Sequence, residues 1–119
     1  MEGPTLPTLR ILTNAQVPPE GRADLLASAS RAVSEMLGKP ESYVMVILED
    51  GRDMLFAGSP APTAFLELIS LGLPEERTAH YSRTLCSLVE DTLGVPAERA
   101  YIGFSSPPRH LFGWNGDTF

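Results

Sequence analysis

A segment of the chain recurs. Leu37-Gly38-Lys39-Pro40 returns as Leu93-Gly94-Val95-Pro96, an offset of 56 residues that also carries Pro7 onto Thr63 and Glu20 onto Glu76. A four-residue match is weak alone, but one that keeps every element boundary in step points to a duplicated supersecondary unit. Residues 20–37 place Ala23, Leu25, Leu26, Ala29, Ala32, Val33, Met36 and Leu37 at helical spacing, with Arg22, Asp24, Arg31 and Glu35 mostly opposite. Pro18 and Pro19 precede this run and Gly38 follows it, as suits a helix start and a C-terminal cap. A second helix is expected over residues 75–93, with Tyr81, Leu85, Leu88, Val89 and Leu93 on its buried stripe. Strands are expected over 8–13, 42–49, 63–71 and 99–104. The order is therefore βαββαβ, with repeats at 7–49 and 63–105.

Right-handed crossovers place both helices on one face of a four-stranded sheet. The α+β class follows, with the other sheet face left bare. Yet Tyr43-Val44-Met45-Val46-Ile47-Leu48 is apolar on both faces, and Phe65 and Ile69 oppose Ala64, Leu66 and Leu68 along the third strand. A homo-oligomer with packed sheets would cover that face; short loops are the alternative. The tail from 110 to 119 carries Asn115-Gly116, a tight-turn signal that predicts a short hairpin.

The chain's 119 residues form one domain by the usual size prior, taken as 7–119 with a 1–6 extension. A net charge of −6 argues against nucleic acid and supplies no basic patch for anionic membranes. Cys86 is the single cysteine, so no internal disulfide and no thiolate zinc site is expected. His80 and His110 have no Cys, Asp or Glu at ligand spacing. No metal or other cofactor is expected. Neither a secretory leader nor a membrane-spanning stretch is evident, so a reduced, cytoplasmic setting is the expectation.

Several local stretches, in this order and spacing, resemble the macrophage migration inhibitory factor and D-dopachrome tautomerase family. They are Pro7-Thr8-Leu9, Gly38-Lys39-Pro40 with Tyr43, Met54 to Ser59, Ser70-Leu71-Gly72, Arg99 to Ile102, and Gly113 to Phe119. The resemblance implies a homotrimer whose sheets form a central barrel. It also implies an enol–keto isomerase acting on a small aromatic keto or enol acid, of the phenylpyruvate or dopachrome type. Such chemistry needs a base for an α-proton and a group that stabilises an enolate oxygen. In the family that base is the secondary amine of an N-terminal proline, whose ordinary pKa, about 7.7–8.0, falls in apolar surroundings.

By resemblance, Pro7 is the base, Lys39 the cation of the pocket, and Tyr101 a tyrosine entering from the adjacent subunit. Tyr43, Ser70, Leu71, Trp114 and Phe119 match substrate-binding positions. Each has a plainer reading too. Pro7 starts a strand where a missing N–H costs little. Lys39, the only lysine, lies where a helix C-terminus favours a cation. The aromatic residues pack, and Cys86 is buried beside the helix stripe. Arg109 is a further candidate for an anionic substrate. The family's vertebrate Cys-x-x-Cys falls on Thr63-Ala64-Phe65-Leu66, and its asparagine after the tyrosine falls on Gly103.

One feature departs from the family pattern. The Pro7 nitrogen is an amide joined to Leu6, its lone pair delocalised into a carbonyl, and it is no base at neutral pH. Three accounts of residues 1–6 stand side by side: a different translation start, proteolytic trimming, or a retained extension with reduced activity. A non-catalytic relative that binds a protein or metabolite through the same pocket is the alternative function.

Overall fold

Each half of the repeat folds as strand, helix and strand, with the register that the 56-residue offset predicts. The computed structural model describes residues 5–119. Strand β1 is Thr8–Thr13, helix α1 Pro19–Leu37 and strand β2 Met45–Glu49. Their counterparts are β3 (Ala64–Ile69), α2 (Thr78–Leu93) and β4 (Ala100–Ser105). A hairpin of β5 (Gly113–Trp114) and β6 (Asp117–Thr118) follows. Of the 1–6 extension, residues 1–4 lie outside the described residues.

Local chemistry sets the ends of these elements. Gly38 and Gly94 close the two helices with φ of 64° and 70°, a left-handed cap that glycine adopts without a Cβ penalty. Both strands that follow begin later than the apolar runs suggest. After Pro40 and Pro96 the chain makes a single 3₁₀ turn, Glu41–Tyr43 and Ala97–Arg99, before it extends. Tyr43 is thereby moved off the strand predicted over 42–49. The second helix is likewise preceded by a 3₁₀ turn, Glu75–Arg77, and begins at Thr78. Strand β3 is shorter at both ends than the 63–71 run.

The sheet order is β2-β1-β3-β4. Strands β1 and β2 run parallel, as do β3 and β4, while β1 and β3 pair antiparallel with Thr8 opposite Ile69 and Thr13 opposite Ala64. This central pairing joins the two halves. Both helices lie on one face, where Leu9, Ile11, Leu66 and Leu68 meet Ala29, Val33, Leu85 and Val89, all fully buried. Each such leucine or valine contributes about 1.5–3 kcal/mol relative to exposure.

The opposite face is open, as expected, but it is not uniformly apolar. Met45 and Ile47 are 58% and 38% exposed there. Between them and Phe65 lies a charged cluster. Arg10 donates to Glu49 at 2.6 and 3.2 Å and to Glu67 at 3.0 Å, and Arg52 adds a further bond to Glu49 at 3.2 Å. A guanidinium held by two carboxylates is a way to place charge on a sheet face with its hydrogen bonds satisfied.

The Arg10 hydrogen bonds hold the Glu49 carboxyl below the ordinary carboxylate range, against partial desolvation. At the α1 entrance, Asp50 accepts from the Val17 N–H and from Arg22, each at 2.8 Å, and is lowered for those reasons in that order. Carboxylates whose folded-state pKa is depressed add stability above their unfolded pKa, near 4, and lose it as pH falls through the folded value. Chemical unfolding measured from pH 6 down to pH 2 should therefore show stability falling below about pH 4. Asp50→Asn should lower stability at neutral pH and flatten that acid slope. An unaltered slope in the variant would mean that Asp50 does not couple folding to protons.

Candidate active site

Pro7 enters β1 with its ring fully buried, and its carbonyl accepts from the Met45 N–H at 3.0 Å. That bond extends the β1–β2 ladder by one step and fixes where the ring sits. Because β1 and β3 are antiparallel, Pro7 lies beside the end of β3, where Ser70 and Leu71 leave the sheet. Both of these are also buried.

Lys39 reaches the same end of the sheet from α1. Its backbone is tied to Ser34 twice, the N–H donating to the Ser34 carbonyl at 3.0 Å and the carbonyl accepting from the Ser34 hydroxyl. These ties hold the residue just past the Gly38 cap. Lys39, Ser70, Leu71, Gly72 and Pro74 line a cavity of about 150 Å³, with Thr5 as a further wall. Pro7, Lys39, Ser70 and Leu71 are therefore gathered at one end of the sheet.

Tyr43, Trp114 and Phe119 lie alongside. Tyr43 meets Trp114 edge-on at 5.8 Å, and Trp114 stacks on Phe119 at 6.4 Å. Such aromatic contacts add about 0.5–1.5 kcal/mol each beyond their buried area. The Asn115-Gly116 turn makes this possible: φ values of 56° and 81° give the hairpin its tight reversal and bring Trp114 and Phe119 together. Arg109 places its guanidinium over the Phe119 ring at 5.5 Å, so this candidate for an anionic substrate is engaged with the tail of its own chain. Tyr43, Met45, Phe112 and Trp114 line a second cavity, of about 380 Å³, whose remaining wall includes Leu6.

Tyr101 is not part of this gathering. It pairs with Phe65 in the β3–β4 ladder, five residues along from the level of Ser70. At about 3.3 Å per residue that is ~16 Å from Pro7's end of the sheet. Its side chain is 65% exposed and sits edge-on to Phe56 at 5.1 Å. Arg99 lies over the other ring at 5.1 Å and donates to the Ser59, Ala61 and Pro62 carbonyls at 2.9–3.1 Å. This clamp holds the loop that carries Phe56, and the sequence signalled it only as an arginine at a strand start. Cys86 is half-buried, less enclosed than a stripe-facing thiol would be. His80 is half-buried against Tyr81, and His110 is exposed.

Sequence reasoning missed Thr5 and Leu6 altogether. They are buried, 6% and 7% exposed, and packed onto the domain. The Thr5 carbonyl accepts from the Leu71 N–H at 2.9 Å and from the Ser70 hydroxyl at 3.3 Å. Two costs oppose this placement. Leu6 has a φ of 47°, a left-handed conformation that costs a non-glycine residue about 1–3 kcal/mol, and a following proline disfavours helical geometry further. The Thr5 hydroxyl is buried without a partner among the described residues, worth about 1–3 kcal/mol in lost hydration. The only available hint was an apolar leucine directly before Pro7.

Comparison with known proteins identifies the family. The family model described as macrophage migration inhibitory factor matches residues 6–119. A macrophage migration inhibitory factor homolog of Trichuris trichiura is 40% identical over 96% of this chain and all of its own length. The macrophage migration inhibitory factor of Meriones unguiculatus is 34% identical over 91% of this chain and 96% of its own. The crystal structure of a macrophage migration inhibitory factor homologue from Prochlorococcus marinus superposes with a TM-score of 0.88 at 41% identity, covering 94% of this chain and 98% of that one. Sequence and fold converge, and the chain belongs to the macrophage migration inhibitory factor family.

Proposed function

We propose that this chain, in a form that begins at Pro7, is an enol–keto tautomerase of small aromatic keto acids of the phenylpyruvate type. The observation that carries the proposal is the enclosed Pro7 ring at the sheet end where Ser70 and Leu71 leave β3 and share a cavity with Lys39. A proline nitrogen at the chain start is a secondary amine, and apolar walls disfavour its protonated form, which makes it a base near neutral pH. It takes the α-proton of the keto acid. Lys39 attracts the substrate carboxylate or the oxygen that gains negative charge, and protonation of that oxygen gives the enol. In the reverse direction the enol O–H proton is lost and the proline returns a proton to the α-carbon. Tyr43, Trp114 and Phe119 offer aromatic surface for the substrate ring.

The same reading includes a homotrimer. The open sheet face with exposed Met45 and Ile47 supports burial against other copies. The ~16 Å between Tyr101 and Pro7's end of the sheet supports a site completed by the tyrosine of a neighbouring subunit. A second reading, a non-catalytic relative that binds a metabolite or protein, is favoured by one observation: with Leu6 attached, Pro7 has no basic nitrogen.

The two readings separate in an enol–keto assay on phenylpyruvate. The form beginning at Pro7 should turn over and the full chain should not; an inert but folded Pro7 form would leave only the binding reading. Within the active form, Pro7→Gly should lower kcat by about 10²–10⁴-fold with KM little changed, as expected for loss of a positioned base. Equal losses in kcat and affinity would instead make Pro7 structural. Light scattering at micromolar concentration should give about three times the 12.9 kDa chain mass. A folded monomer there would defeat the shared-site geometry.

A further inference from the structure

The cavity beside Lys39 has a mixed lining, with Leu37 and Pro74 as apolar wall and Ser70 and Leu71 at its edge. The Leu71 N–H and the Ser70 hydroxyl converge on one oxygen there, and Lys39 lines the same cavity. Such a set suits an anionic or enolic oxygen. In the full chain the oxygen that accepts those bonds is the Thr5 carbonyl. One residue on, the Leu6 side chain forms part of the wall of the aromatic cavity beside Tyr43 and Trp114. A polar acceptor among the donors and an apolar group against the aromatic wall is also the pattern of a small aromatic acid.

We infer that Thr5–Leu6 is an intramolecular occupant of the ligand site, standing where an aromatic acid's oxygen and ring would bind. The inference rests on the tautomerase reading for the class of ligand. It adds a second block to the first: the segment removes the basic nitrogen and also takes up the Leu71 N–H and Ser70 hydroxyl. Hydrolysis of the Leu6–Pro7 bond by a peptidase that accepts proline after the cut lifts both blocks in one step. Water gives its hydroxyl to the Leu6 carbonyl carbon and a proton to the Pro7 nitrogen as the C–N bond breaks. The left-handed Leu6 conformation is then released, so the segment has a reason to leave once cut.

Binding of 3-phenylpropionate, which has no ketone to isomerise, tests the occupant without relying on turnover. Calorimetry on the full chain and on the form beginning at Pro7 should show at least about ten-fold tighter binding to the latter, a difference of about 1.4 kcal/mol. A third protein keeps Pro7 an amide. Leu6→Asp in the full chain puts a carboxylate where it cannot stay buried, so the segment should be expelled. Its own charge cannot attract the acid. This variant should bind the acid several-fold more tightly than the full chain and remain inert towards phenylpyruvate.

Equal affinity of the full chain and the Pro7 form would overturn the occupant. So would a Leu6→Asp variant that binds no better than the full chain, because the gain would then belong to the free amine alone. Absence of binding to any of the three would overturn it as well. A Pro7 form that binds ten-fold more tightly yet never isomerises phenylpyruvate would support the occupant and remove the tautomerase reading.

Discussion

The antiparallel pairing of β1 with β3 is the contact on which the rest of the molecule depends. Each βαβ half is internally parallel, and only this ladder, from Thr8 opposite Ile69 to Thr13 opposite Ala64, makes them one sheet. It sets Pro7 beside Ser70 and Leu71. It also sends β4 away in the opposite sense to β2, so Tyr101 begins its strand at the far end. One hydrogen-bonding register thus gathers half of the candidate site and separates it from the remainder. A chain with these two halves joined in parallel would put Pro7 level with the start of β3, far from Ser70.

The same pairing explains the open face. Two right-handed crossovers on one sheet must cover the same side, and the buried leucines and valines of both halves alternate accordingly. The residues between them face outward. In the middle of that outward surface the sequence places Arg10, Glu49 and Glu67, which satisfy one another across three strands. A charged centre flanked by Met45, Ile47 and Phe65 is suited to packing at its edges while its middle stays hydrated.

Much of the fold was legible because it is written twice. The offset of Leu37-Gly38 against Leu93-Gly94 places both helix ends, and the two glycines adopt the same left-handed cap. Hydrophobic alternation marks β3 because one of its faces is fully buried. The strand starts were less legible, since Pro40 and Pro96 are followed by 3₁₀ turns that no periodicity announces. Pro7, Lys39, Ser70 and Leu71 could be named from motif resemblance, but their meeting at one sheet end depends on the β1–β3 register. Thr5 and Leu6 were invisible for a different reason. Their burial depends on donors supplied by residues 70 and 71, about 65 positions away, and on a backbone conformation that leucine rarely adopts.

The account turns on the chemical state of one nitrogen. As an amide it closes a peptide bond and anchors a buried segment; as a chain terminus it is, in the proposed function, the base. The most direct test is the intact mass of the protein in whichever fraction from its native cells carries phenylpyruvate turnover. The account predicts the mass of a chain starting at Pro7. An active fraction whose mass retains residues 1–6 would contradict it, because another group would then have to move the proton.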